Sequence, residues 1–200
     1  LFFVLNDKER MQQSTNEAIQ RYGDEIQSHW VYGNFNMMHE WTLNQYETPE
    51  QKVADDKASG QDSFLSWYEP SLADTYINQG LYDRAITLMT ESIERSISTG
   101  EQCIRSMAYR YLANSIFAKH GELTDEASRY YQMAIEDAQL RGTRWLELMA
   151  IDDYLKRKPS KEIADTLSTQ LTQVAKTIDG IEGTKWYRNN VQQRTTGRIE

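Results

Sequence analysis

The chain has 200 residues, 39% of them hydrophobic and 26% charged, which is room and material for a folded core and argues against a disordered segment. Asp and Glu outnumber Lys and Arg by 30 to 22, giving a net charge of -8. A surface that follows a phosphate backbone needs a cationic excess, so nucleic acid is excluded as an expected partner. No run approaches the roughly 20 apolar residues of a membrane span, so no membrane contact is expected.

The opening Leu1-Phe2-Phe3-Val4-Leu5 is too short and lacks the basic flank of a signal peptide. A start at Leu1 rather than Met suggests a piece of a longer protein or a processed one. Cys103 is the single cysteine, so neither an intrachain disulfide nor a cysteine zinc cage can form, which fits a reducing cytoplasm. A buried or half-buried, inert thiol is the expected state of Cys103.

Only three prolines and ten glycines punctuate the chain, and this favours helix throughout. Gly60, Gly80, Gly100, Gly121 and Gly142 arrive about every twenty residues, with amphipathic stretches of four to five turns between them. Glycine just past a helix supplies the left-handed residue that closes it, so the spacing predicts a row of antiparallel helix hairpins. The expected helices are 7–22, 29–45, 49–59, 63–78, 81–98, 101–119, 124–140, 143–157 and 159–177, with a capping segment or polar tail over 182–200. Pro49 stands in a tolerated first turn, Thr124 is an expected N-cap, and Pro70 either bends its helix or marks its first full turn.

Three segments stack. Leu72, Ala73, Tyr76, Gly80, Ala85 and Met89 form the first; Leu112, Ala113, Ile116, Phe117, Gly121 and Ala127 the second, continued by Tyr131 and Ala134. Met149, Ala150, Tyr154 and Ala164 form a weaker third. Ala85 and Ala127 are expected to be buried where paired helices cross. The pattern of large, small and aromatic residues, a turn glycine and then alanine resembles the tetratricopeptide repeat. Its units are longer than the family's ~34 residues, the tryptophan position is not filled in register although Trp67 lies nearby, and the proline after the second helix is missing. The stretch from Tyr130 through Leu148 is most similar to the degenerate C-terminal repeats of large bacterial regulators that join an ATPase module to a cyclase, kinase or DNA-binding domain.

The resemblance implies an all-α, right-handed superhelix of hairpins in one domain over 1–200, with repeats at about 28–59, 63–98, 101–141 and 143–177. It implies a non-catalytic interaction or scaffold module that binds a protein or peptide segment in its concave groove, or attached domains of its parent protein. The alternative is a ligand- or peptide-sensing domain of a transcriptional activator. Carrying the repeat's inward positions onto this chain gives Trp41, Asn44, Asp74, Asn78, Arg110, Asn114, Arg144 and Glu147 as the groove. Asn amides there can both donate to and accept from an extended backbone, and Arg110 and Arg144 can receive a carboxylate. As a surface change, Arg110→Ala is expected to barely alter stability, within about 0.5 kcal/mol.

Other polar groups read more plainly. His29, His39 and His120 lack metal-ligand spacing, and His120 stands at a helix end where positive charge is favoured. Adjacent acids at Asp55-Asp56 and Asp152-Asp153 point about 100° apart on a helix and are expected to be solvated. With no phosphate loop, nucleophile elbow or Cys/His pairing, neither an active site nor a cofactor or metal is expected. Most of the 11% aromatic residues are assigned to packing, with Tyr154 and Trp41 either core or groove wall.

Overall fold

The computed structural model describes residues 65–102, 105–184 and 187–192, together with residues 13, 16, 17, 20, 53, 54, 57 and 58. Backbone contacts divide the chain into two units, 1–60 and 61–200. In the first unit Gln13, Asn16, Glu17 and Gln20 are helical and exposed, and the Gln13 amide donates to Glu17 at 2.8 Å. Residues 53, 54, 57 and 58 are helical too, with Val53 buried. Trp41, Asn44, Cys103, His29, His39 and the Asp55-Asp56 pair lie outside the described residues, as does the side chain of Trp67.

The second unit is built from α1 (Leu65–Asn78), α2 (Tyr82–Thr99), α3 (Arg105–His120), α4 (Asp125–Arg141), α5 (Arg144–Lys156) and α6 (Lys161–Ala175). A 3-10 turn, Ile181–Gly183, and a π turn, Arg188–Gln192, follow. No strand occurs among the described residues. None of their helices is long and apolar enough to cross a membrane.

Glycine follows the ends of α1 to α4 as its spacing predicts. Gly80, Gly100, Gly121 and Gly142 all have φ between 67° and 75°. At Gly142 the local chemistry is complete: its N–H donates to Gln139 O at 3.1 Å, and Thr143 N donates to Ala138 O at 2.9 Å. These crossed bonds satisfy carbonyls the helix leaves open. At the other end of α4, Thr124 Oγ1 accepts the Ala127 N–H at 3.1 Å. The α5–α6 turn has no glycine, and Lys158 takes the left-handed conformation instead, with φ 55°. Pro70 does not end α1, which runs through it.

Each helix packs on the next, and α3 also touches α1 and α5 directly. The odd-numbered helices therefore form one layer, and each even-numbered helix packs on its odd-numbered neighbours. α3 sits centrally and buries residues around most of its circumference, from Ser106 and Met107 to Ser115 and Ile116. By contrast α2 buries one stripe: Ala85, Leu88, Met89, Ser92, Ile93 and Ser96, the spacing of an amphipathic helix with one wet face.

Ala73, Ala85, Ala113, Ala127, Ala134 and Ala138 are all fully buried. Small side chains let paired helices close up, and the hydroxyl of Ser106 on α3 reaches the Ala134 carbonyl on α4 at 2.7 Å. The third stacked segment is looser: Ala164 is only half-buried, while Ala150 is fully enclosed. Phe117 and Trp145 are likewise half-buried. Past α6, Ile178, Ile181 and Val191 bury against the end of the stack. Of the capping segment or tail expected over 182–200, only 182–184 and 187–192 are described, and they hold short turns.

Candidate functional site

The groove residues that can be located separate into two places. Asp74 and Asn78 are exposed on α1, their side chains 3.4 Å apart in a hydrogen bond. Arg110 and Asn114 of α3 converge on α5, where Asp153 Oδ2 accepts from Arg110 Nη1 at 3.3 Å and from Asn114 Nδ2 at 3.1 Å. Arg144 and Glu147 stand elsewhere on α5. At about 100° per residue, Arg144 and Asp153 are about half a turn apart, so one helix cannot present both to the same wall.

The first assembly extends well beyond the expected residues. Asn114 Oδ1 accepts from the Tyr131 hydroxyl on α4 and from Arg157 Nη2 at 3.3 Å. Arg157 Nε donates to the same hydroxyl at 3.3 Å, and its guanidinium lies 4.4 Å from the centre of the Phe117 ring. Tyr131 stacks on Tyr154 with ring centres 5.0 Å apart and an 11° tilt. Tyr154 is therefore core rather than groove wall. One chain of polar contacts, Arg110–Asp153–Asn114–Tyr131–Arg157, joins α3, α4 and α5.

Arg110 is only 7% exposed. The expectation that it is a dispensable surface cation is corrected here, because its head group is enclosed and ion-paired. Burial alone would lower its pKa, yet Tyr111, Asp153 and Asp74 outweigh that and raise it. Burial pushes Tyr131 up to about 12 against the opposing Arg157, and Tyr111 up to about 12 against Arg110. None of these three groups exchanges a proton near neutral pH.

A pH dependence follows. Folding raises the Tyr131 pKa from its ordinary value near 10, so the neutral phenol is what the fold stabilises. That contribution is intact below about pH 10 and declines as pH rises toward 12, by about 1.4 kcal/mol per pH unit. Denaturant unfolding of the wild type and of Tyr131→Phe at about pH 9 and pH 11 reads it out. The wild type should lose stability more steeply by that increment; parallel losses would remove Tyr131 as the cause.

Reading Asp152-Asp153 as solvated also requires correction. Asp152 is fully buried and pairs with Lys156 Nζ at 2.8 Å, while Asp153 holds Arg110 and Asn114. Because α5 is covered on more than one side, each acid of the pair meets its own partner. Lys156, four residues after Asp152, was a visible signal; Arg110, Tyr131 and Arg157 could be joined only by the fold.

The second assembly centres on Glu147, which is 2% exposed. Its Oε1 accepts from Gln139 Nε2 of α4 at 2.9 Å and from Gln170 Nε2 of α6 at 3.1 Å, while Oε2 accepts from Arg144 Nη1 at 2.9 Å. It forms part of a cleft of about 650 Å³ that α6 borders with Thr166, Thr169 and Gln173. Neither glutamine carries a signal in the sequence.

Three further ion pairs, in two clamps, brace the stack. Asp137 is clamped by Arg105 across α3–α4, at 2.9 Å, and by Arg141 on its own helix, at 3.0 Å. Glu69 of α1, fully buried, holds Arg95 of α2 through both carboxylate oxygens. Both clamps join elements already adjacent in the chain and leave the Glu147 cleft open.

No protein-family model, curated protein or solved structure matches the chain.

Proposed function

We propose that the chain is a non-catalytic protein–protein interaction module of the tetratricopeptide-like class, working as a regulatory part of a larger bacterial signalling protein in the cytoplasm. The observation that carries this reading is the direct packing of α1 on α3 and α3 on α5. Hairpins whose first helices touch each other form one continuous wall, the surface on which stacked repeats bind extended partners. Asp74 and Asn78 stand exposed on α1. The Arg110–Asp153–Asn114 assembly stiffens the wall. Tyr131, Tyr111 and Arg110 keep their charge states near neutral pH, which suits recognition better than proton transfer.

A photo-crosslinking amino acid at position 78 tests the reading, with position 136 on the exposed side of α4 as the control. Position 78 should capture one defined protein, or an attached domain of the parent, and Asp74→Arg should abolish the capture. Equal capture at both positions would end this reading.

The cleft at Glu147 favours a second reading, a ligand-sensing domain of a transcriptional activator. A cavity of about 650 Å³ falls within the range of small-molecule sites, roughly 300–1,000 Å³.

A further inference from the structure

Among the described residues, Lys158 is the one non-glycine residue with a positive φ, 55°. A side chain in that conformation crowds its own backbone, and glycine is the residue that adopts it without strain. The turns after α1, α2, α3 and α4 place glycine there: Gly80, Gly100, Gly121 and Gly142. The backbone of Lys158 closes α5, its N–H donating to Leu155 O at 3.1 Å. Glycine would do the same. The side chain, by contrast, is exposed, and its ammonium makes no hydrogen bond or ion pair among the described residues.

The same turn stands apart in charge. Residues 156–161, Lys156-Arg157-Lys158-Pro159-Ser160-Lys161, hold four of the chain's 22 Lys and Arg and none of its 30 Asp and Glu. The rest of the molecule is therefore more acidic than the net charge of -8 conveys. Lys156 pairs with Asp152. Among the described residues no carboxylate pairs with Arg157, Lys158 or Lys161, whereas Arg95, Arg105, Arg110, Arg141 and Arg144 each hold one. Half-buried Arg157 is fixed by neutral oxygens, those of Tyr131 and Asn114, and its Nη1 makes no hydrogen bond.

We propose that the α5–α6 turn is a docking point for an acidic protein segment, whose carboxylates pair with Arg157, Lys158 and Lys161. Strained backbone collects where function holds it, and here the strain keeps an ammonium at a position where the fold itself needs only glycine. Two exposed ammonium groups and a fixed guanidinium suit a short run of carboxylates. A long polyanion fits less well. Glu162 and Asp165 stand exposed on α6 just past the turn, and a nucleic acid reaching beyond it meets an acidic molecule. The turn draws on neither Asp74 nor Asn78, so this inference holds or fails apart from the reading tested at position 78.

The test is an NMR titration of the isotope-labelled full chain at low ionic strength, following backbone amide signals. The probe is a capped tetraglutamate peptide; a capped tetraglutamine is the neutral control, and an oligothymidylate of equal length is the polyanion of the other class. Tetraglutamate should shift the signals of the α5–α6 turn saturably, tetraglutamine should not, and added salt should weaken the binding. Lys158→Gly should weaken it about two- to fivefold, the range one exposed ion pair spans. The same variant should melt no lower than the wild type, because relief of the crowded side chain offsets the freedom that glycine adds to the unfolded chain. A merely structural lysine would give the opposite split, an unchanged affinity with an altered melting temperature.

Lys158→Gly combined with Lys161→Gln should weaken tetraglutamate further than either change alone. Absence of saturable shifts at the turn overturns the proposal, as does an affinity that the double variant leaves unchanged. Tighter binding of the oligothymidylate than of tetraglutamate overturns it as well, and assigns the turn to a phosphate backbone instead.

Discussion

Asp153→Ala is expected to lower the unfolding free energy by about 3 kcal/mol. Breaking a buried pair by removing one partner costs about 3–5 kcal/mol, because the remaining charge stays enclosed without its counter-ion. The lower end applies because the Asp153 side chain keeps 15% exposure, and water can relieve part of the penalty. Arg110 bears most of the damage: it is nearly fully enclosed, its Nε already lacks a partner, and Nη1 would lose Asp153. Asn114 would lose an acceptor as well. Removing Arg110 together with Asp153 should cost less than the two single changes added, with a coupling of about 1–3 kcal/mol. Urea unfolding of the two single variants and the double variant measures it. A change within about 0.5 kcal/mol for Asp153→Ala, the range of ordinary surface substitutions, would show that the assembly does not brace α3 against α5.

That result bears on what the sequence could reveal. The glycines and the alanines were legible because their roles are local or periodic. Gly142 needs only its left-handed conformation and the two carbonyls before it. Ala85 and Ala127 occupy fixed places in a repeating pattern, and each is fully buried. Side-chain partnership is different in kind. Arg110 and Arg144 look alike in the sequence, each a basic residue within a helix, yet one is enclosed and the other half exposed. What separates them is which neighbour covers each face of α3 and α5, and only packing of the hairpins decides that. The repeat's inward positions were carried over as a straight stripe, whereas α5 is turned so that Asp153, not Arg144, meets Arg110. Glu147 was found as a residue of interest but not in its actual setting, because Gln139 and Gln170 come from the helices on either side.

Overpacking at Ala127 is the strongest check on the register of the hairpins. The residue sits in the first turn of α4 with no exposed surface, one turn before the fully buried Tyr131. A phenyl ring there has no solvent to turn toward, so α4 must shift or its neighbours must leave their preferred rotamers. Such insertions cost about 1–3 kcal/mol. Ala127→Phe should reach the top of that range, because a displaced Tyr131 also loosens its hydroxyl's bonds to Asn114 and Arg157. For a chain of this size about 1 kcal/mol corresponds to roughly 2–4 °C, so the midpoint should fall by about 6–12 °C. Ala58→Phe, at an exposed helical alanine, is the control and should stay within about 0.5 kcal/mol. Alkaline titration gives the Tyr131 contribution separately: if the ring is displaced, burial no longer raises its pKa so far, and the variant should lose less additional stability above about pH 10 than the wild type. A melting temperature unchanged from wild type would place Ala127 outside the contact between paired helices, and the alanine register would fail with it.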